Sequence, residues 1–305
     1  MKNLKTLLFS FIFLAFISCE SDSDTEITNP EDEVSIDYFI QRTLNNDGST
    51  FSYSTYELAN NRISSVSSSN MQSTSEYFYD NGKISSILNY TSGTLSTKST
   101  FSYENNNLVE YKIEKYNPDV INKIEKHTFL HTSDTIFSEY TYSQDGTNYQ
   151  LSKQSKIKLV NDNRVYFEEA NTTTTDIDVS EMTYDQNDNP LTETTYLKFD
   201  NFPPTVAQMS YSNNKSSYGM IMKNTFGKKN LMLLYHLQTN AVNLFKVKIL
   251  GNSNLVAYQT NWASDVYNFE VTNEVNQNNY NSKTVYKTYD NNGLLSSFEH
   301  EFFFN

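Results

Sequence analysis

The chain alternates apolar and polar side chains over short stretches that are separated by Asn-rich turns. Val109, Tyr111 and Ile113 occupy one set of alternate positions, and charged residues fill the positions between and after them. Successive side chains of a strand point to opposite faces, so this period of two predicts strands with one covered face and one wet face. A dipeptide such as Asn81-Gly82 between two such runs predicts a tight hairpin turn.

Four segments repeat a single hairpin pattern. Each has an aromatic or apolar residue, any residue, Tyr, an acidic residue, an Asn/Gly turn and a return strand. They are "YFYDNGKISSI" from Tyr77, "FSYENNNLVEY" from Phe101, "MTYDQNDNPLTET" from Met182 and "KTYDNNGLLSSF" from Lys287. The segments resemble the YD repeat of RHS-type proteins, and more closely the YD-like hairpin repeats of Bacteroidetes lipoproteins.

This resemblance implies an all-β fold over residues 36–305. The hairpins would form an elongated, curved, antiparallel sheet, in which Tyr79, Tyr103, Tyr184 and Tyr289 hold equivalent places. The repeat is interrupted at residues 202–250, a stretch rich in methionine. Strands and one short helix at about 229–237 both fit that stretch. Its expected role is to cover the sheet face, and the alternative is an adaptable Met-rich contact surface.

The first 18 residues form a secretory signal. Lys2 and Lys5 precede eleven residues that are almost all apolar, and Ser18 follows. That run is shorter than the roughly 20 residues that a membrane-spanning helix needs. The lone cysteine, Cys19, has no partner for an internal disulfide bond. "FISC" resembles a bacterial lipobox, although Phe16 stands where Leu is usual; the resemblance implies cleavage after Ser18 and lipidation of Cys19. The alternative is ordinary cleavage that leaves a free thiol.

Residues 19–35 are acidic and polar, with too few apolar side chains to fold, which predicts a flexible tether. Glu20, Asp22, Asp24 and Glu26 follow the cysteine closely and resemble the surface-export signal of Bacteroidetes outer-membrane lipoproteins. The alternative is a solvated spacer. The resemblance implies a protein anchored by lipid in the outer membrane and exposed at the cell surface.

The net charge and the composition exclude several classes of function. With 23 basic and 36 acidic residues, the net charge of −13 excludes a broad phosphate-binding face and hence nucleic acid as a partner. The eight glycines form no phosphate-binding loop, dinucleotide fingerprint or nucleophile elbow. Lipidation of the only cysteine would also exclude cysteine catalysis. We therefore expect no cofactor and no catalytic residues.

Two patterns superficially resemble metal sites. His127 and His131 are four residues apart, which in a strand is about 13 Å, too far for one ion. Asp185, Asn187 and Asn189 match the first positions of a calcium loop, but proline replaces the required glycine. We expect a histidine-bearing strand and a hairpin turn, and no metal.

Two further residues carry weaker signals. Thr135 lies in "DTI", which matches a short O-glycosylation sequon of exported Bacteroidetes proteins. Trp262 could stack on a sugar ring, although a single tryptophan more often belongs to a core.

The sequence favours a non-catalytic binding or scaffold lipoprotein, an accessory of a larger outer-membrane complex with an outer-membrane protein partner. The first alternative is a glycan-binding surface lipoprotein of a nutrient-uptake system. A glycan hydrolase is the second alternative, and it would need two carboxylates placed about 5–9 Å apart, which sequence cannot establish.

Overall fold

The computed structural model describes residues 34–69, 72–117, 120–200, 202–234, 251–260, 268–290 and 293–305. Within these ranges the chain forms eighteen strands and two helices. The first nine strands are β1 (Ile36–Leu44), β2 (Thr50–Ala59), β3 (Arg62–Ser68), β4 (Ser73–Asp80), β5 (Lys83–Thr91), β6 (Thr94–Glu104), β7 (Asn107–Tyr116), β8 (Ile121–His131) and β9 (Ile136–Ser143). Then come β10 (Gln150–Val160), β11 (Asn163–Asn171), β12 (Ile177–Tyr184), β13 (Pro190–Leu197), β14 (Thr205–Lys215), α1 (Ser217–Phe226), α2 (Lys228–Leu234), β15 (Ser253–Thr260), β16 (Asn268–Val275), β17 (Asn281–Asp290) and β18 (Gly293–Phe304).

The strands close into a barrel. Each strand pairs antiparallel with its neighbours along the chain, and β18 then pairs with β1 from Ile36↔Phe304 to Leu44↔Ser297. The expected elongated open sheet is therefore wrong, although the expected antiparallel strands are present. Closure removes both edges of the sheet, whose backbone N–H and C=O groups would otherwise lack partners.

The short hairpin turns follow the local chemistry of the sequence. Asn81 and Gly82 have φ of 48° and 77°, and Asn105 and Asn106 have φ of 47° and 65°. Asparagine and glycine adopt these left-handed values at little cost, which produces the primed turns that suit twisted hairpins.

Three of the four repeat tyrosines are equivalent in the barrel. Tyr79, Tyr103 and Tyr184 each follow a register shift, pair with the first apolar residue of the return strand and pack against the core inside the barrel. Tyr289 has the same local register, but its hydroxyl donates to Glu270 on the outer face, 2.7 Å away. Tyr289 lies near the end of β17, at the opposite end of the barrel from the other three tyrosines.

The stretch that interrupts the repeat, residues 202–250, contains two helices in its described part, where we expected at most one. Ser216 caps α1 by accepting the N–H of Gly219 at 3.0 Å, and Gly227, with φ of 79°, ends it. Gly219 has no room for a side chain, because a Cβ there would collide with the carbonyl oxygen of Gly251. Six hydrophobic residues of the helices are almost fully buried: Tyr218, Ile221, Met222, Leu231, Met232 and Leu233.

The helices occlude one end of the barrel, which we call the helix end. Ile63 donates its backbone N–H to Thr225 of α1 at 3.1 Å, and Lys229 of α2 donates to Asn107 beside a hairpin turn at 2.6 Å. The helices pack on inward side chains of β1, β3, β5, β7, β10 and β11 to form the hydrophobic core. An eighteen-stranded barrel is too wide for its own side chains to fill, so these helices supply the missing packing.

The outer wall of the barrel carries many charged and polar side chains, together with exposed apolar ones such as Leu130 and Phe137. Along β4, Thr74, Glu76, Phe78 and Asp80 are exposed, while the alternate side chains face the interior. Ion pairs join side chains on the outer face, four of them between neighbouring strands and one from Lys198, just after β13, to Glu168 on β11. They are Arg42–Glu299 at 2.6 Å, Lys283–Glu299 at 2.9 Å, Lys126–Glu110 at 2.7 Å, Lys156–Glu168 at 3.1 Å and Lys198–Glu168 at 2.6 Å. The wall therefore presents charges at many points around the barrel.

Candidate functional site at the far end of the barrel

The end opposite the helices, which we call the far end, has a polar inner wall. On one arc, Ser75 donates to Asn89 at 2.6 Å, and the Asn89 amide donates to Thr97 at 2.7 Å. These hydrogen bonds run from strand to strand around the interior, and all three side chains remain partly accessible. The interior thus changes from apolar at the helix end to hydroxyl- and amide-lined at the far end.

On another arc, charged side chains of opposite sign face inward and contact one another. Lys115 and Lys123 both contact one oxygen of Glu125, at 2.7 and 2.8 Å. Burial alone would raise the pKa of Glu125, but the hydrogen bonds from the two lysines outweigh it and hold the pKa below its ordinary value. The Lys115 side chain is 41% exposed although it points into the barrel, which shows that solvent enters from this end.

Deeper in the lumen, His127 lies between two tyrosine rings. Its ring centroid is 6.0 Å from that of Tyr111 and 4.6 Å from that of Tyr140, and both pairs are stacked. Burial lowers the pKa of His127 to about 4; nearby Glu125 opposes this shift and Lys153 reinforces it. The imidazole is therefore neutral at physiological pH and acts as an aromatic wall residue.

A pocket of about 560 Å³ opens on the rim of the far end. It lies where the turn between β1 and β2 approaches β18, and its lining combines one aromatic ring with amide, carboxylate, hydroxyl and aliphatic groups. The lining residues are Thr43, Leu44, Asn45, Asn46, Asp47, Phe51 and Ser296. The Phe51 side chain is 65% exposed, so its ring is accessible from solvent.

Hydrogen bonds hold the turn that forms this pocket. Asn45 donates its backbone N–H to Ser49 at 2.8 Å, and Gly48 donates to Asn45 at 2.9 Å with φ of 83°. The Ser49 hydroxyl and backbone N–H both donate to Oδ1 of Asp47, at 2.6 and 2.9 Å. These hydrogen bonds lower the pKa of Asp47, so the pocket keeps a carboxylate at physiological pH.

The residues that the sequence marked for function do not gather at this site. Cys19, Glu20, Asp22, Asp24, Glu26 and Trp262 lie outside the described residues. Thr135 lies in the turn between β8 and β9 at the helix end, where its backbone N–H and C=O bond the Thr132 hydroxyl.

The two metal-like patterns have structural roles. His127 stacks in the lumen, whereas His131 makes a 2.8 Å hydrogen bond with the Leu108 carbonyl. The Asp185 carboxylate accepts the backbone N–H groups of Asn187 and Asn189, which closes a hairpin turn. Within the described ranges, no group of three or more His, Cys, Asp or Glu side chains is placed to hold a metal ion.

The rim pocket could not be predicted, because the segment "NNDGSTF" from Asn45 to Phe51 has the pattern of an ordinary turn followed by a strand. The one available signal was Phe51, an aromatic residue directly after a polar turn. The pocket also includes Ser296 of β18, and the β1–β18 contact that brings it there joins residues about 250 positions apart in the chain.

No protein-family model and no curated protein sequence matches this chain. Among solved structures, it is similar to a porin-like protein from Bacteroides uniformis, with a TM-score of 0.35, 9% identity, and coverage of 90% of this chain and 99% of that one. A porin-like protein from Bacteroides vulgatus gives a TM-score of 0.32 and 11% identity at the same coverage. These scores are too low to assign a function. Separately, none of the described helices is long and apolar enough to cross a bilayer.

Proposed function

We propose that this protein is a non-catalytic binding lipoprotein of the outer membrane, whose barrel stands in water and is tethered through Cys19. The supporting observation is the charged outer wall. A barrel that crosses a bilayer has an apolar outer band, and a Lys or Arg at the midplane costs about 2–4 kcal/mol. The outward Arg42 and Lys126, each in an ion pair with a neighbouring strand, fit a surface in contact with water.

The interior supports binding instead of conduction. The helices occlude one end, and the polar wall at the other end is accessible to solvent. A lumen open at one end can hold a ligand, whereas a pore must be open at both ends. The lipobox-like "FISC" supplies the anchor, and the acidic residues from Glu20 to Glu26 favour the cell-surface side.

The test separates a tethered barrel from one that spans the membrane. A site for a specific protease replaces residues 27–33 of the tether, and membranes containing the full lipoprotein are treated with that protease. We expect cleavage to release residues 34–305 into detergent-free buffer, while untreated protein stays with the membrane. A barrel that remains in the membrane after complete cleavage would refute the proposal.

Two additions complete this test. Cleavage on intact cells reports the cell-surface side, because added protease reaches only exposed tethers. Labelling with a palmitate analogue reports the anchor, and Cys19→Ser should abolish the label. Label that persists on the Cys19→Ser variant would refute lipidation at this residue.

A further inference from the structure

We infer that the rim pocket between the β1–β2 turn and β18 binds a neutral sugar unit of a glycan. This inference rests on the proposed binding role and specifies its ligand class. The pocket volume of about 560 Å³ lies within the roughly 300–1,000 Å³ of small-ligand sites.

The lining matches the two surfaces of a sugar ring. A sugar presents an apolar C–H face and a rim of hydroxyl groups, each of which both donates and accepts hydrogen bonds. Phe51 offers an accessible aromatic face, which is the partner that a C–H face requires. Asn46 and Asp47 add donors and acceptors beside that face.

The carboxylate narrows the ligand class. Asp47 stays ionised because Ser49 donates two hydrogen bonds to it, and an ionised carboxylate accepts strong hydrogen bonds from sugar hydroxyls. It also repels uronic acids and sulfated sugars, and the net charge of −13 adds to that repulsion. Neutral glycans are therefore the class that fits.

The turn is organised before a ligand arrives. Hydrogen bonds within Asn45–Ser49 fix the Asp47 carboxylate, so binding would order few additional groups. Among the described strands, β18 pairs with β1 and leaves no free sheet edge on which an extended peptide could add a strand, which disfavours peptide capture by β-augmentation.

The experiment uses the full lipoprotein in detergent micelles and affinity electrophoresis in gels that contain a polysaccharide. The neutral probes are dextran, mannan and xyloglucan; polygalacturonate and heparin are the anionic probes. We expect at least one neutral polysaccharide to retard the native protein and neither anionic one to do so. Phe51→Ala should weaken that retardation at least tenfold, and Asp47→Asn should weaken it several-fold.

Tyr53→Ala is the matched control, because Tyr53 is an exposed aromatic residue two positions along the same strand but does not line the pocket. It should bind like the native protein. No retardation by any neutral probe, or equal loss in Tyr53→Ala and Phe51→Ala, would overturn the inference. Thermal unfolding of each variant checks folding, and the tether-cleavage experiment tests the proposed function independently of glycan binding.

Discussion

The buried His127 should make the barrel sensitive to acid. Its pKa is lowered from 6.5 to about 4 because the ring is buried between Tyr111 and Tyr140. Unfolding exposes the ring, so the unfolded chain takes up a proton at a higher pH than the folded chain does. The stabilisation is therefore complete above pH 6.5 and is lost as the pH falls towards 4.

The size of the pKa shift of His127 determines how much unfolding free energy is lost in acid. The unfolded and folded pKa values differ by about 2.5, which at about 1.4 kcal/mol for each whole pKa step corresponds to about 3.5 kcal/mol of unfolding free energy. About 3 kcal/mol of this is lost between pH 7 and pH 4, because at pH 4 the folded His127 is half protonated. The measurement is urea unfolding at pH 7, 6, 5 and 4 for the native protein and for His127→Gln, whose side chain does not titrate.

His127→Gln should lower stability at pH 7 through lost stacking, yet its stability should fall by about 3 kcal/mol less than that of the native protein between pH 7 and pH 4. Carboxylates such as Glu125 titrate in both proteins, so the difference isolates the histidine. Equal pH dependence in the two proteins would refute the assignment of a neutral, buried His127.

Two further predictions concern groups near the helix end. Tyr79 donates its hydroxyl to a backbone carbonyl at 2.7 Å, so Tyr79→Phe should cost about 1 kcal/mol of unfolding free energy. Tyr103→Phe should leave the unfolding free energy unchanged, because within the described residues the buried Tyr103 hydroxyl has no hydrogen-bond partner. Urea unfolding that shows equal losses of stability in Tyr79→Phe and Tyr103→Phe would contradict this. Glu193→Gln should cost about 3–5 kcal/mol by breaking the buried ion pair with Arg164, 3.1 Å long. Glu110→Gln breaks an ion pair on the outer wall and should cost less than about 1 kcal/mol of unfolding free energy. Equal decreases in melting temperature for Glu193→Gln and Glu110→Gln would contradict the reasoning from burial.

The strands and tight turns could be predicted because their causes are local. Alternation around Tyr111 defines a strand, and Asn81-Gly82 defines a turn, whatever the rest of the chain does. Closure could not be predicted in this way. Phe298, His300 and Phe302 alternate with Glu299 and Glu301 as in any strand, and nothing near them specifies that β1 is their partner. The open sheet was the wrong architecture for that reason.

The helices and the rim pocket depend on tertiary contacts in the same way. A seven-residue helix such as α2 is unstable alone and forms here because Leu231, Met232 and Leu233 are buried in the barrel. The pocket beside Phe51 exists only because β18 returns to the β1–β2 turn. Sequence patterns show neither contact.

The most direct test of the account asks whether water or lipid contacts the outer wall. Single cysteines replace the exposed outward residues Glu76, Ser102 and Lys158, with buried Met232→Cys as the control. Lipidation of Cys19 would leave the introduced residue as the only free thiol. The purified lipoprotein is added to preformed liposomes, so that it anchors in the outer leaflet only, and is treated with a membrane-impermeant maleimide before and after detergent is added. We predict that all three outward positions react fully before detergent is added, while Met232→Cys does not. Protection of the outward positions until detergent is added would show that they contact lipid, and would contradict a tethered barrel that stands in water.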